Sequence, residues 1–437
     1  MRTGLHQRLS LPLLLGYFAI ATLAPGAEPE KLGDLRGVEQ AHFNQDGSRV
    51  VVRLRGGQTT LWDAAAGTLV PGDLGSNTIS EALVVSSDSK LVLLGFKDGH
   101  SRVFDANSAS FVSPVLDAGL HAQLRTPALF SPDGTMVAVF ADKELKLFNV
   151  RSGERITTIP LTPGTNDDAP GSALFTSNGA ECFVMDGGGS VTRYETKNWK
   201  PAGKPMRHPA AKLAYEFFFN ASDDGKWVVT FDDAGENGPE GNLQVWDAVA
   251  SKQVGKPLVA VNGFEGRFFG TNRIVIMPAR GQANVRELPS MKILYALRPH
   301  DELDGPKVDL SPDNKWLITW GPDKRLDLFD AATGKLANNY LSSAAVGKVV
   351  MSPGSSACYV LFDNSAFLVE GHYDNYVVKL SFPDLKVAGL IRVLDYVANV
   401  ALSPDGRRLL IHQGKTDQER LLFFDAATLK PIESAKP

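Results

Sequence analysis

The chain has 437 residues, 43% hydrophobic and 22% charged, with 41 glycines and 26 prolines. Such a composition is globular and rich in turn formers, which excludes a disordered or collagen-like chain. The formal net charge is −4 with no basic run, so the chain lacks the footprint that nucleic acid requires.

The first segment reads as a signal peptide over residues 1–26. Arg2, His6 and Arg8 make a basic start, and Leu11 to Ala24 is an apolar run of 14 residues, short for a bilayer span. Cleavage after Gly26 puts the small residue Ala24 three positions before the cut, and no cysteine follows to carry a lipid. Removal takes two arginines and no acids, leaving 43 basic and 49 acidic residues, or −6. No later segment is apolar enough to cross a membrane. The mature chain is therefore expected in the periplasm or outside the cell, with no membrane span.

The rest of the chain repeats one pattern. An apolar pair precedes a Ser-Pro-Asp-Gly-like turn, then come an apolar run, a polar turn, an alternating run, and an aromatic followed by an acid. Clear copies are Ala128 to Asn149, Val308 to Asp330 and Val400 to Asp425. The turns begin near Asn44, Ser86, Ser131, Ser177, Ser222, Gly270, Ser311, Ser352 and Ser403, a mean step of about 45. Closing pairs include Trp62-Asp63, Phe104-Asp105, Tyr194-Glu195, Trp246-Asp247, Phe329-Asp330 and Phe424-Asp425; copies six and eight have lost theirs.

Each copy is long enough for four short strands. A turn in mid-copy breaks helices, and one four-stranded sheet buries both faces only by stacking radially on its neighbours. The predicted fold of residues 27–437 is an all-β, single β-propeller of four-stranded antiparallel blades. Nine copies predict nine blades, with eight as the alternative because copy six is weak. The last blade's outer strand is expected from Glu28 to Leu35 or from Lys430 to Ser434.

Step length and closing Trp-Asp make the chain similar to the WD40-repeat family over nearly all of the mature chain. The Gly-His that opens the family's repeats is mostly absent. The resemblance implies a hydrogen-bonded group inside the blade, complete only in copy five: His208, Thr230, Asp232 or Asp233, and Trp246. Copy seven offers His300, Thr319 and Asp323, with Phe329 in place of Trp; copy three offers His121 and Asp142. These histidines are read as structural.

The two cysteines, Cys182 and Cys358, fall at equivalent places on the second strands of copies four and eight. Opposite sides of a ring exceed the roughly 7 Å Cα separation a disulfide tolerates, so both are expected reduced and buried.

No catalytic motif is present. There is no Gly-x-Ser-x-Gly and no His-Glu-x-x-His, and Gly414-Lys415-Thr416 lacks the earlier glycine of a phosphate loop. Asp330 to Gly334 matches part of a quinoprotein repeat, but its docking Trp is missing. No metal or cofactor is expected. The acidic loop 232–242 and the insertion 363–376 lengthen the same turn in copies five and eight, and so belong on one end of the ring.

The function expected from the resemblance is a non-enzymatic binding or scaffold propeller for a protein partner. The alternative is an enzyme of lactonase or dehydrogenase type with its site at the channel mouth. Basic residues gather just before first strands: Arg125, Arg207, Lys212, Arg298, Lys307 and Lys348. Lys307 and Lys348 each stand four residues before the turn serine. They are candidates to receive an acidic segment or anionic ligand.

Overall fold

The computed structural model describes residues 38–432 except 55–57, 67, 71–73, 75–77, 119–127, 142, 164–170, 210–215, 234–240, 261–263, 279–281, 299, 301–306, 322, 343–344, 364–367, 370–371, 374, 394–395 and 415–419. The expected signal peptide, the segment 28–35, Arg125, Lys212, His121 and Asp142 lie outside the described residues, as do most of the 232–242 insertion and half of the 363–376 insertion.

The described residues form nine antiparallel blades, each a meander. First strands of successive blades touch at the junctions of blades two and three, four and five, five and six, and eight and nine, and the first strands make the inner ring. They are Val38–Phe43, Thr78–Val85, Ala128–Phe130, Ser172–Phe175, Glu216–Ala221, Phe264–Phe269, Lys307–Leu310, Ala345–Met351 and Val397–Leu402. Blades one and nine have three named strands, and single bridges complete them, Trp62 to Leu69 and Phe424 to Pro431. The tail at Pro431 and Ile432 thus takes the outer place of blade nine, where Ile432 N also donates to Phe423 O.

Among the described residues the core is divided among the blade junctions. Nine apolar clusters each straddle one junction between neighbouring blades. Blade one shows why the second strands read as unbroken apolar runs. Val50 and Val52 pack toward blade nine while Val51 packs toward blade two, and all three are buried. A strand covered on both faces has no polar alternation to show. Each such side chain contributes about 1.5–3 kcal/mol by leaving water.

The Ser-Pro-Asp-Gly turn is a hydrogen-bonded unit. Ser131 Oγ donates to Asp133 Oδ1 at 2.6 Å and accepts from Met136 N at 2.9 Å. Gly134 has φ +67, which glycine adopts without a Cβ clash. Ser86, Ser222, Ser311 and Ser403 repeat the arrangement. Two turn positions expected from the sequence are corrected. In blade four the hydroxyl belongs to Thr176, not Ser177, and bonds Asn178 and Glu181 N. In blade six Phe269 pairs directly with Arg273, so the turn is shorter and Phe269, not Gly270, stands where the other blades place the hydroxyl.

The closing acids cap the next turn. Asp330 Oδ1 accepts from Thr333 N at 2.8 Å and Thr333 Oγ1 at 2.7 Å, and Asp425 does the same with Thr428.

Cys182 and Cys358 lie on the second strands of blades four and eight and are free and buried. Burial pushes both thiols far above their ordinary range. Native protein should therefore leave both unalkylated at neutral pH, and denatured protein should take two labels without reductant. An intact mass two hydrogens short would overturn this.

Candidate functional site

Three groups of polar residues stand out against the apolar blades. The first is buried in blade five. His208 follows the outer strand of blade four, and its N–H donates to the O of Gly189, in the turn before that blade's third strand, at 3.0 Å. Its ring enters blade five, with Nδ1 2.7 Å from Thr230 Oγ1. Trp246 Nε1 donates to the same hydroxyl at 2.9 Å. Nε2 lies 3.4 Å from Asp232 Oδ2, and both side chains are fully buried. Asp232 supplies the acid of the group. One histidine thus ties two blades together.

Blade seven carries a parallel arrangement. His300 Nδ1 lies 2.8 Å from Asp323 Oδ1 and Nε2 2.9 Å from Thr319 Oγ1. Arg325 joins it, with Nε 2.9 Å from Asp327 Oδ2 and Nη1 3.5 Å from Asp323 Oδ2. The sequence pattern did not suggest Arg325 or Asp327, because charged residues also stand at these third-strand positions in blade three, as Glu144 and Lys146, without marking a buried pair.

The second group is the basic set. Lys307 opens the inner strand of blade seven, opposite Trp320, and is exposed. Lys348 lies on the inner strand of blade eight, opposite Leu361, and its Nζ donates to Asn399 Oδ1 of blade nine. Burial lowers its ammonium pKa. Both stand four residues before the turn serine, at the end of the ring that carries the links between blades. Arg298 is exposed in the link before blade seven. Arg207 is exposed too, but lies on the outer side of blade four, opposite Ser190, and is not brought to the inner ring.

The third group was missed by the sequence reading. A cavity of about 410 Å³ opens between blades five, six and seven. Asn220, Arg267 and Asp309 line it, with Phe268, Ser311 and Asn314 from the strand ends and turns. Arg267 Nη1 donates to Asp309 Oδ1 at 2.6 Å across the junction of blades six and seven. The signal was positional. All three residues stand two places before the residue that opens the turn, Ser222, Phe269 or Ser311, once blade six is set in its observed register. Among the described residues no three His, Cys, Asp or Glu side chains gather as a metal-binding group.

No family model matches the sequence, and no curated protein matches it. Solved structures match the fold. A crystal structure of a eukaryotic initiation factor has a TM-score of 0.66 at 14% identity, covering 88% of this chain and 94% of that one. The C-terminal WD40 domain of Sif2 has 0.51 at 14%, covering 90% and 97%. The computationally designed Ika8 protein has 0.50 at 17%, covering 75% and 93%. At such identities the likeness is one of fold. The chain is a nine-bladed β-propeller with a WD40 domain among its structural neighbours.

Proposed function

We propose that the protein is a non-enzymatic binding propeller that acts in the periplasm or outside the cell and captures an acidic segment of a protein partner. The observation that carries this reading is the pair Lys307 and Lys348, at one register of neighbouring inner strands. With Arg298 in the adjoining link they make a local positive patch on a mature chain of net charge −6. Such a patch steers an acidic segment to one end of the ring and speeds its capture. Location outside the cytoplasm rests on the basic and apolar pattern of residues 1–26.

Changing Lys307, Lys348 and Arg298 together to Glu should slow capture of the native partner by about tenfold or more at low salt and flatten its salt dependence. Affinity equal to wild type at low salt would remove this end of the ring as the site. N-terminal sequencing of the exported protein should begin at Ala27, and an intact Met1 would remove the proposed location.

A further inference from the structure

The residue that stands second before the turn on the inner strand is valine, leucine or alanine in blades two, three, four, eight and nine, and His42 in blade one. In three consecutive blades it is Asn220, Arg267 and Asp309, and the cavity of about 410 Å³ lies where these three converge. That volume falls within the roughly 300–1,000 Å³ usual for small-molecule sites. Polar residues at one register on adjacent blades, coinciding with a cavity, are more than scattered solubilising charge. Lys307 stands two residues before Asp309 on the same inner strand, whereas Asn220 and Arg267 belong to the cavity alone, so variants at those two residues test this reading separately from the Lys307 and Lys348 patch.

The charges within the cavity are already matched. Arg267 and Asp309 hold each other at 2.6 Å, and Asp309 Oδ1 also accepts from Leu310 N at 2.9 Å. An anion would have to compete with Asp309 for the guanidinium, and a cation with Arg267 for the carboxylate, against a charge-assisted bond. A hydroxyl need do neither, because it donates and accepts at once. It can take a remaining N–H of Arg267 and give its own proton to Asp309 Oδ2, leaving the pair intact. Asn220 offers the next contact. Its Oδ1 accepts from Ala221 N at 2.8 Å, while its Nδ2 has only a long approach of 3.5 Å to Gly266 O. Phe268 supplies a half-buried apolar wall.

We propose that this cavity binds a neutral, hydroxyl-rich ring: one sugar residue, with neighbouring hydroxyls on Arg267, Asp309 and Asn220 and a C–H face toward Phe268. The ring can come from a free sugar or from the end of a glycan, and the chemistry of recognition is the same.

Saturation-transfer NMR with glucose, galactose, mannose and N-acetylglucosamine at millimolar concentration tests this, each as free sugar and as methyl glycoside. At least one sugar should receive magnetisation from the wild-type protein. Arg267→Ala should weaken that binding by about tenfold or more with the melting temperature unchanged, since the side chain is 47% exposed. Asn220→Ala, on the neighbouring blade, is the second variant, so misfolding of one protein cannot imitate loss of the site. Equal binding of the methyl glycoside assigns the site to a glycan end, and binding of the free sugar alone assigns it to a free sugar. Absence of binding across all eight ligands, unchanged binding in both variants, or displacement of the sugar by acetate would each overturn the proposal.

Discussion

Arg325→Ala should lower the unfolding free energy by about 3–5 kcal/mol near neutral pH, and part of that loss should return on acidification. Asp327 is fully buried in the third strand of blade seven, and its Oδ2 takes a 2.9 Å contact from Arg325 Nε. Asp323, whose side chain is 4% exposed, leans on the same guanidinium and on His300. Without Arg325, Asp327 loses the cation bonded to it, and Asp323 keeps its bond to His300. Burial pushes the Asp327 carboxyl above its ordinary value, and the charges of Arg325, His300 and Arg298 pull it back. Loss of Arg325 raises it further above its unfolded value. The folded variant then holds the proton more readily than the unfolded chain. Stability falls as pH rises through the window between the two values, and recovers below it. Asp323 acts in the opposite sense. Burial raises it, but the bond and charge of His300 and the N–H and charge of Arg325 overcome this and hold it below its usual value. Its contribution is lost as pH falls, so the recovery is partial. Denaturant unfolding of both proteins at about pH 7 and about pH 5 measures this. A penalty of equal size at both would mean that Asp327 stays charged whatever its partner.

Thr230→Val is the second large effect, about 2–4 kcal/mol, because one lost hydroxyl orphans two buried groups, Trp246 Nε1 and His208 Nδ1. His208→Ala should cost less, about 1–3 kcal/mol. Blade seven supplies the internal contrast. Phe329 stands there in place of Trp, so Thr319→Val strips a partner from His300 only. Thermal unfolding of the three variants should rank Thr230→Val as the worst, with partner affinity unchanged in all. Lost partner binding at an unaltered melting temperature would make His208 a site residue rather than a brace.

The fold was legible because the turn that starts each hairpin is held by its own side chains. A Ser and an Asp two residues apart bond each other and the backbone in five blades, and that chemistry leaves a spaced signature. Both-sided burial wrote the second strands as plain apolar runs. The register failed where the side-chain bonds differ. In blade four two adjacent hydroxyls, Thr176 and Ser177, compete for one role, and only the hydrogen bonds distinguish them. In blade six no hydroxyl stands at that position, and Phe269 closes a shorter turn by backbone pairing and packing. Counting from Gly270 set Arg267 one place out of line with Asn220 and Asp309, which hid the cavity. A site assembled from three blades, with more than 40 residues between successive members, has no local motif to betray it. The buried pair of Arg325 and Asp327 was opaque for another reason. Alternation along a strand says which face a residue takes, not whether a neighbour's charge awaits it.

The junction of blades nine and one is packed like the others. Phe43 meets Phe423 edge-on at 6.0 Å, and Arg408 Nη1 donates to Gly47 O at 2.7 Å. It differs in that, among the described residues, no link crosses it. At the other eight junctions a link holds the neighbour at high effective concentration whenever the packing loosens, so re-closure is fast. Here re-closure depends on the whole ring keeping its curvature. Breathing motions are therefore expected to concentrate at this junction, with amide exchange fastest in the strands on either side of it. A permuted chain, joined here and opened at another link, would carry that soft spot to the new opening.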